Sequence, residues 1–206
     1  MLQNRTILVT GANGALGKRV CAVAEGYGAR VQRLDIAFAE SDETTHAIDL
    51  TDPAATGELL TRLAPFDGVF NLAGGFAMGA PTWDSSDDDW QRMFALNVTT
   101  TRNMVKAAVP LLLENGGGSI VNVGAYGARE GLAQMSAYCA SKSVVMRLTE
   151  SLANELRHRG VNVNAVLPTV IDTPANREGM PDADFSEWVS PDELANVICF
   201  LASRGA

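Results

Sequence analysis

Six residues, Arg5–Thr10 (RTILVT), run straight into Gly-Ala-Asn-Gly-Ala-Leu-Gly, and a helical pattern follows from Ala15 to Tyr27. This strand–glycine turn–helix unit constrains the chain more than any other stretch. Gly11, Gly14 and Gly17 stand three apart at the turn, with Asn13, Ala15 and Leu16 between and beside them. Glycines there let the backbone turn tightly and let a phosphate group approach the free N–H groups of the helix N-terminus. An ordinary glycine-rich turn would look the same in isolation. Two features of context favour dinucleotide binding: the turn lies in the first βα unit, and an acid, Asp35, ends the next strand. A carboxylate at that place accepts hydrogen bonds from ribose hydroxyls and repels a 2′-phosphate, so NAD(H) is the preferred cofactor. Arg33, on the same strand face as Asp35, keeps NADP(H) open. Asp49 either meets the adenine edge or simply flanks a helix.

The same alternation continues to the end. Further strands are expected at Ala29–Asp35, His46–Leu50, Asp67–Ala73, Ser119–Val123 and Val161–Leu167. Helices are expected at Pro53–Leu63 with Asp52 as N-cap, Ser86–Asn115, Met135–Arg159 and Pro191–Ser203 after a Ser190 cap. Strands alternating with helices predict βαβ units, and hence one Rossmann-type, doubly wound α/β domain over 1–206 with a parallel sheet.

Composition supports this reading and excludes others. The chain has 206 residues, 47% hydrophobic and 19% charged, which excludes disorder, collagen and coiled coil. A net charge of -8 argues against nucleic acid, whose phosphates need clustered cations. Cys21, Cys139 and Cys199 show no metal-type spacing and read as small buried residues in a reducing compartment. No leader pattern opens the chain and no stretch is apolar enough to span a membrane, so a cytoplasmic protein is expected. Asp84, Asp87, Asp88 and Asp89 precede a helix, where its dipole and a Ser85 or Ser86 cap account for them, so no metal is expected.

Tyr138 and Lys142 sit four apart in a helical stretch, Ala137-Tyr-Cys-Ala-Ser-Lys142, and so share one face. An ammonium beside a phenol lowers the phenol's pKa and makes it a usable proton donor. A bare YxxxK is common by chance. Here it follows the glycine turn, Asp35, Asn71-Leu-Ala-Gly74 and Asn97, in that order.

In that combination the chain resembles the short-chain dehydrogenase/reductase family along nearly its whole length. The resemblance implies that Thr10, Gly11 and Gly17 belong to the cofactor loop, with Ala15 where the commonest form has its middle glycine. It implies that Asn71, Ala73 and Gly74 support the sheet beside the cofactor. Tyr138 would be the general acid and Lys142 would also bind the nicotinamide ribose. Asn97 would anchor a proton-relay water, and Pro168 and Thr173 would contact the carboxamide. It further implies a homodimer through the long helices. Two departures stand out. The family's catalytic Ser position is Ala125, and the last helical pattern reaches the end of the given sequence where the family continues into a seventh strand, so either the given chain is cut short or the sheet has six strands.

The segment from Val166 to Trp188, the GALG turn, Ala73-Gly74-Gly75 and the missing Ser together resemble the dihydropteridine reductases. That implies hydride transfer to a small, conjugated, quinonoid substrate. A carbonyl reductase or alcohol dehydrogenase of the same family, or a non-catalytic NAD-binding sensor, is the alternative. Phe76, Met180 and Trp188, on loops at the sheet's C-terminal edge, are substrate candidates beside Ala125. Asn122 and Ser136 are candidate replacements for the missing hydroxyl.

Overall fold

The computed structural model describes residues 1–40 and 42–206. Six parallel strands form one sheet: β1 (Thr6–Thr10), β2 (Arg30–Asp35), β3 (Thr45–Ala47), β4 (Gly68–Asn71), β5 (Gly118–Val123) and β6 (Val161–Val166). Their order is β3-β2-β1-β4-β5-β6. The order reverses direction between β1 and β4, which opens a crevice beyond the C-terminal ends of those two strands. The helices are α1 (Ala15–Gly26), α2 (Pro53–Leu63), α3 (Asp87–Phe94), α4 (Thr100–Glu114), α5 (Ser136–Leu156), α6 (Pro174–Gly179) and α7 (Pro191–Leu201).

Both faces of the sheet are covered, as a parallel sheet requires. Successive residues of β1 divide between the two layers. Ile7 and Val9 pack with Val20 and Cys21 of α1 and Ile198 and Cys199 of α7, whereas Leu8 packs with Leu60 of α2, Met104 of α4 and Leu152 of α5. All three cysteines are free and buried. No helix among the described residues is long and apolar enough to cross a membrane, and among those residues no group of three His, Cys, Asp or Glu side chains could hold a metal ion.

Three expectations need correcting. The third strand covers Thr45–Ala47, earlier and shorter than its apolar run, because Leu50 is drawn into the core instead. The helix expected over Ser86–Asn115 divides into α3 and α4 around a π-helical turn, Ala95–Thr99. Ser190 occupies the N-cap position of α7 without a side-chain capping bond. Asp52 caps α2 as expected, accepting from Ala54 N at 2.8 Å and Ala55 N at 3.0 Å. Ser86 caps α3, accepting from Asp89 N at 3.1 Å.

Thr10 ties the two central strands together where the crevice opens. Its buried Oγ1 accepts from Leu72 N and Ala73 N, both at 3.0 Å, fixing the chain as it leaves β4. Thr10→Val keeps the shape but removes the acceptor from two backbone donors. Unfolding in urea should show a loss of about 2 kcal/mol with an unchanged slope. A loss under about 0.5 kcal/mol would mean that solvent satisfies those donors.

Candidate active site

The glycine turn folds as the spacing predicts. Gly11 adopts φ +64°, and a Cβ on Gly17 would lie 2.1 Å from Gly11 O, so only glycine lets α1 start so close to β1. The first turn of α1 carries no acid and its N-cap, Gly14, makes no side-chain cap, which leaves its N–H groups free for an anion. A cleft of about 570 Å³ opens beside it. Asn13, Gly14, Ala15 and Leu16 line one wall, and Ala73, Gly74 and Thr173 line others. Asp35 and Asp49 stand at the far end. Ile36, Ile48, Leu50, Thr51, Leu72, Leu96 and Thr100 also line it and were not singled out from sequence. Ile36 had a signal, since it directly follows the strand-ending acid; Leu96 and Thr100 arrive only through the π-helical turn.

Asp35 is held in place rather than free. One carboxylate oxygen accepts from Asn13 N at 2.8 Å and the other from Ile36 N at 2.7 Å. Arg33 is turned away: it pairs with Glu25, donates to Thr44 Oγ1 at 2.9 Å, and is absent from the cleft wall. Asp49 lies beyond β3 and accepts from the Thr51 hydroxyl at 2.7 Å, which holds its carboxyl below the usual range. Thr10 and Asn71 are buried beneath the cleft and do not line it. Asn71 donates to Asn122 Oδ1 at 2.8 Å, while its own Oδ1 is buried without a partner among the described residues. Pro168 lies off the cleft wall as well, its carbonyl accepting from Tyr126 N at 3.0 Å. Thr173 caps α6, accepting from Asn176 N at 3.3 Å.

Tyr138 and Lys142 project from the first turns of α5 against the loop that follows β4. Lys142 is buried and its Nζ donates to Val123 O at 2.8 Å. A Cβ on Gly74 would stand 3.2 Å from that Nζ and 2.6 Å from Asn97 Oδ1. The π-helical turn aims Asn97 inward, as such turns often do at functional sites. Its Oδ1 accepts from Gly75 N at 2.9 Å, and its Nδ2 donates to Gly75 O at 3.1 Å and Ser141 Oγ at 3.0 Å. The Asn97 side chain is therefore a brace between loop and helix; a water could reach only its backbone carbonyl, which already accepts from Thr101 Oγ1 at 2.9 Å.

The electrostatics differ from the sequence expectation. Burial pushes the Tyr138 phenol up to about 12, and the neighbouring Lys142 does not draw it down. Burial likewise pushes Lys142 down to about 8. The ammonium points to the Val123 carbonyl, and no hydrogen bond joins it to the phenol.

A second cavity, of about 340 Å³, is lined by Ser136 and Ala137, next to Tyr138 in the chain, whereas Tyr138 and Lys142 line neither cavity. Phe76 forms part of its wall and packs edge-on against the Tyr138 ring, centroids 4.9 Å apart. Ser85, Asp89, Arg92, Gln134 and Ser136 supply its polar lining. Met180 and Trp188 line neither cavity. Trp188 packs on Phe185 instead, centroids 4.7 Å apart, in a cluster that Arg177 covers. Ala125 is a buried methyl at the start of a 3₁₀ turn. Asn122 cannot replace the missing hydroxyl, since its amide is spent on Asn71 and, at 2.8 Å, on Thr149 Oγ1.

Comparison with known proteins agrees with this geometry. A family model described as short chain dehydrogenase matches residues 5–184. A sorbitol dehydrogenase from Cereibacter sphaeroides is 35% identical, over 91% of this chain and 77% of its own. A 2-dehydro-3-deoxy-L-rhamnonate dehydrogenase (NAD(+)) from a Sphingomonas species is 32% identical, over 97% of this chain and 88% of its own. The solved structure of a short-chain type dehydrogenase/reductase from Mycobacterium ulcerans superposes with a TM-score of 0.90 at 25% identity, covering 100% of this chain and 85% of that one. None of the three carries the name of a dihydropteridine reductase, so that finer resemblance rests on the sequence segments alone.

The buried lysine gives a measurable pH dependence. Between pH 8 and 10.5 the unfolded chain keeps a proton on Lys142 that the folded chain has released, so stability rises with pH across that window. Relative to Lys142→Met, the protein should gain roughly 3 kcal/mol across it by urea unfolding. Parallel pH profiles for the two would mean that Lys142 is not desolvated.

Proposed function

The chain belongs to the short-chain dehydrogenase family and is an NAD(P)-dependent oxidoreductase, and on that premise we propose that it prefers NADH and reduces a conjugated, quinonoid acceptor of the dihydropterin kind. One observation carries the substrate half of this reading: a buried methyl, Ala125, stands at the family's serine position. A hydrogen-bond donor aimed at developing negative charge contributes about 10²–10³ in rate. A simple ketone gathers that charge on one oxygen and would bear the full loss. A quinonoid ring spreads it over a conjugated system and needs the donor less. Phe76, more than half exposed beside Tyr138, offers a flat ring an apolar face.

The residues present fit the cofactor. The open N-terminus of α1 would hold the pyrophosphate, Asp35 the adenosine ribose, and Ile36 and Ile48 the faces of the adenine. Lys142 would hold the nicotinamide ribose and Thr173 the carboxamide. When bound, NADH supplies a hydride from its nicotinamide ring. Tyr138, with its phenol held protonated by burial, donates the proton. Lys142, the one buried charged side chain among the described residues, stabilises the phenolate left behind. Asp35 supports NADH because it repels a 2′-phosphate, while Arg33 is committed to Glu25.

A second reading is a polar carbonyl or polyol substrate, as the names of the two dehydrogenase relatives have it. Ser136 favours it, since it lines the second cavity two residues before Tyr138 and its hydroxyl has no hydrogen bond to another described residue. Steady-state reduction by NADH separates the two. A quinonoid dihydropterin or benzoquinone should turn over about 10²-fold faster than an aliphatic ketone, and Ala125→Ser should speed the ketone more. NADPH should serve worse than NADH, and Asp35→Ala should narrow that gap. Ketone reduction as fast as quinone reduction, and lost in Ser136→Ala, would install the second reading.

A further inference from the structure

The second cavity carries hydrogen-bond donors that neither hydride nor proton transfer uses. Arg92, on α3, lines the cavity with its side chain about half exposed, and its one ion pair among the described residues is a contact of 3.1 Å to Asp89. Asp89 is already served elsewhere: its other oxygen accepts from Ser86 Oγ at 3.0 Å, and that hydroxyl is the main cause of its depressed pKa. A guanidinium has five donors in a planar fork, and one is spent. A half-exposed pair three residues apart on a helix contributes little, so a better-shaped acceptor displaces it readily. Asp84, Asp87 and Asp88 stay off the cavity wall.

Gln134 lines the same cavity from a strained backbone. Its φ of +64° is a conformation that L side chains rarely adopt. The strain is held by a hydrogen bond of 3.0 Å from Gly79 N to Gln134 O, which ties the two cavity loops together. The Gln134 and Ser136 side chains lack partners among the described residues, so the cavity that Arg92 lines holds two further uncommitted polar groups.

We propose that this cavity is a carboxylate subsite: the substrate carries an anionic carboxylate that docks on Arg92, with Gln134 and Ser136 alongside, while its reacting carbon lies toward Tyr138. The inference rests on the reading of Tyr138 as the proton donor and adds a charge to the substrate class. Asp89 lines the same wall, so the recognition rests on the guanidinium's unspent donors and on displacement of the half-exposed Asp89 contact rather than on a net positive wall.

Calorimetric titration of the NADH-loaded protein with benzoate and with benzamide tests this without turnover, so failure here is distinct from failure to reduce a quinone. Benzoate should bind about tenfold tighter than benzamide. Arg92→Gln should erase that preference, and Arg92→Lys should keep only part of it because the fork is gone. NADH affinity, measured alongside, should be the same in all three proteins. Equal binding of the two probes, or a benzoate preference that survives Arg92→Gln, would overturn the subsite.

Discussion

The contact of Gly74 with Asn97 and Lys142 is the constraint on which the site depends. The loop after β4 must pass close enough to α5 for Asn97 to grip both backbone groups of Gly75 and for Lys142 to lie under Gly74. Thr10 sets where that loop begins, by accepting from Leu72 and Ala73. Ser141 passes the grip to α5, donating to Tyr138 O at 2.8 Å. This loop serves both cavities, with Gly74 lining one and Phe76 the other. A side chain at Gly74 would push the proton donor, the cation and the cofactor cleft apart together.

Burial then sets the chemistry. Burial pushes the phenol up to about 12 and the ammonium down to about 8, so the phenol stays protonated until it gives its proton to the substrate, while near neutral pH Lys142 still carries its charge. Such displacement is common at reactive sites, where a low dielectric strengthens each interaction formed in the transition state. The phenolate left by that transfer and the Lys142 ammonium already on the same helix face offset each other's desolvation, whereas either alone would be costly. Ala125 leaves this pair without the third polar group, and that favours an acceptor that disperses its charge.

The parts of the fold that depend on local pattern were legible in the sequence. β1, the glycine turn and Asp35 follow from steric demands that a few residues state openly, and α2 starts at the Asp52 cap as read. What escaped depends on contacts distant in sequence. The π-helical turn at Ala95–Thr99 carries no break in hydrophobic period, yet it turns Asn97 inward. Gln134 meets Gly79 across 55 residues of chain, and no local signal marks its φ. Trp188 was read as a substrate residue from its place on a loop, but Phe185 and Arg177 claim that corner. The spacing of Tyr138 and Lys142 puts them on one helix face as read, while the inferred lowering of the resting phenol is outweighed by burial.

The most direct test of the account is Gly74→Ala. A methyl there would stand 2.6 Å from Asn97 Oδ1, an atom pinned by Gly75, and 3.2 Å from Lys142 Nζ, pinned by Val123. Since misplacing reacting groups by about 1 Å costs roughly 10² in rate, NADH-dependent turnover should fall by about that factor. The Asp35 end of the cleft, remote from the methyl, should still bind adenosine ribose. Turnover within about twofold of the parent protein would contradict the claim that this contact assembles the site.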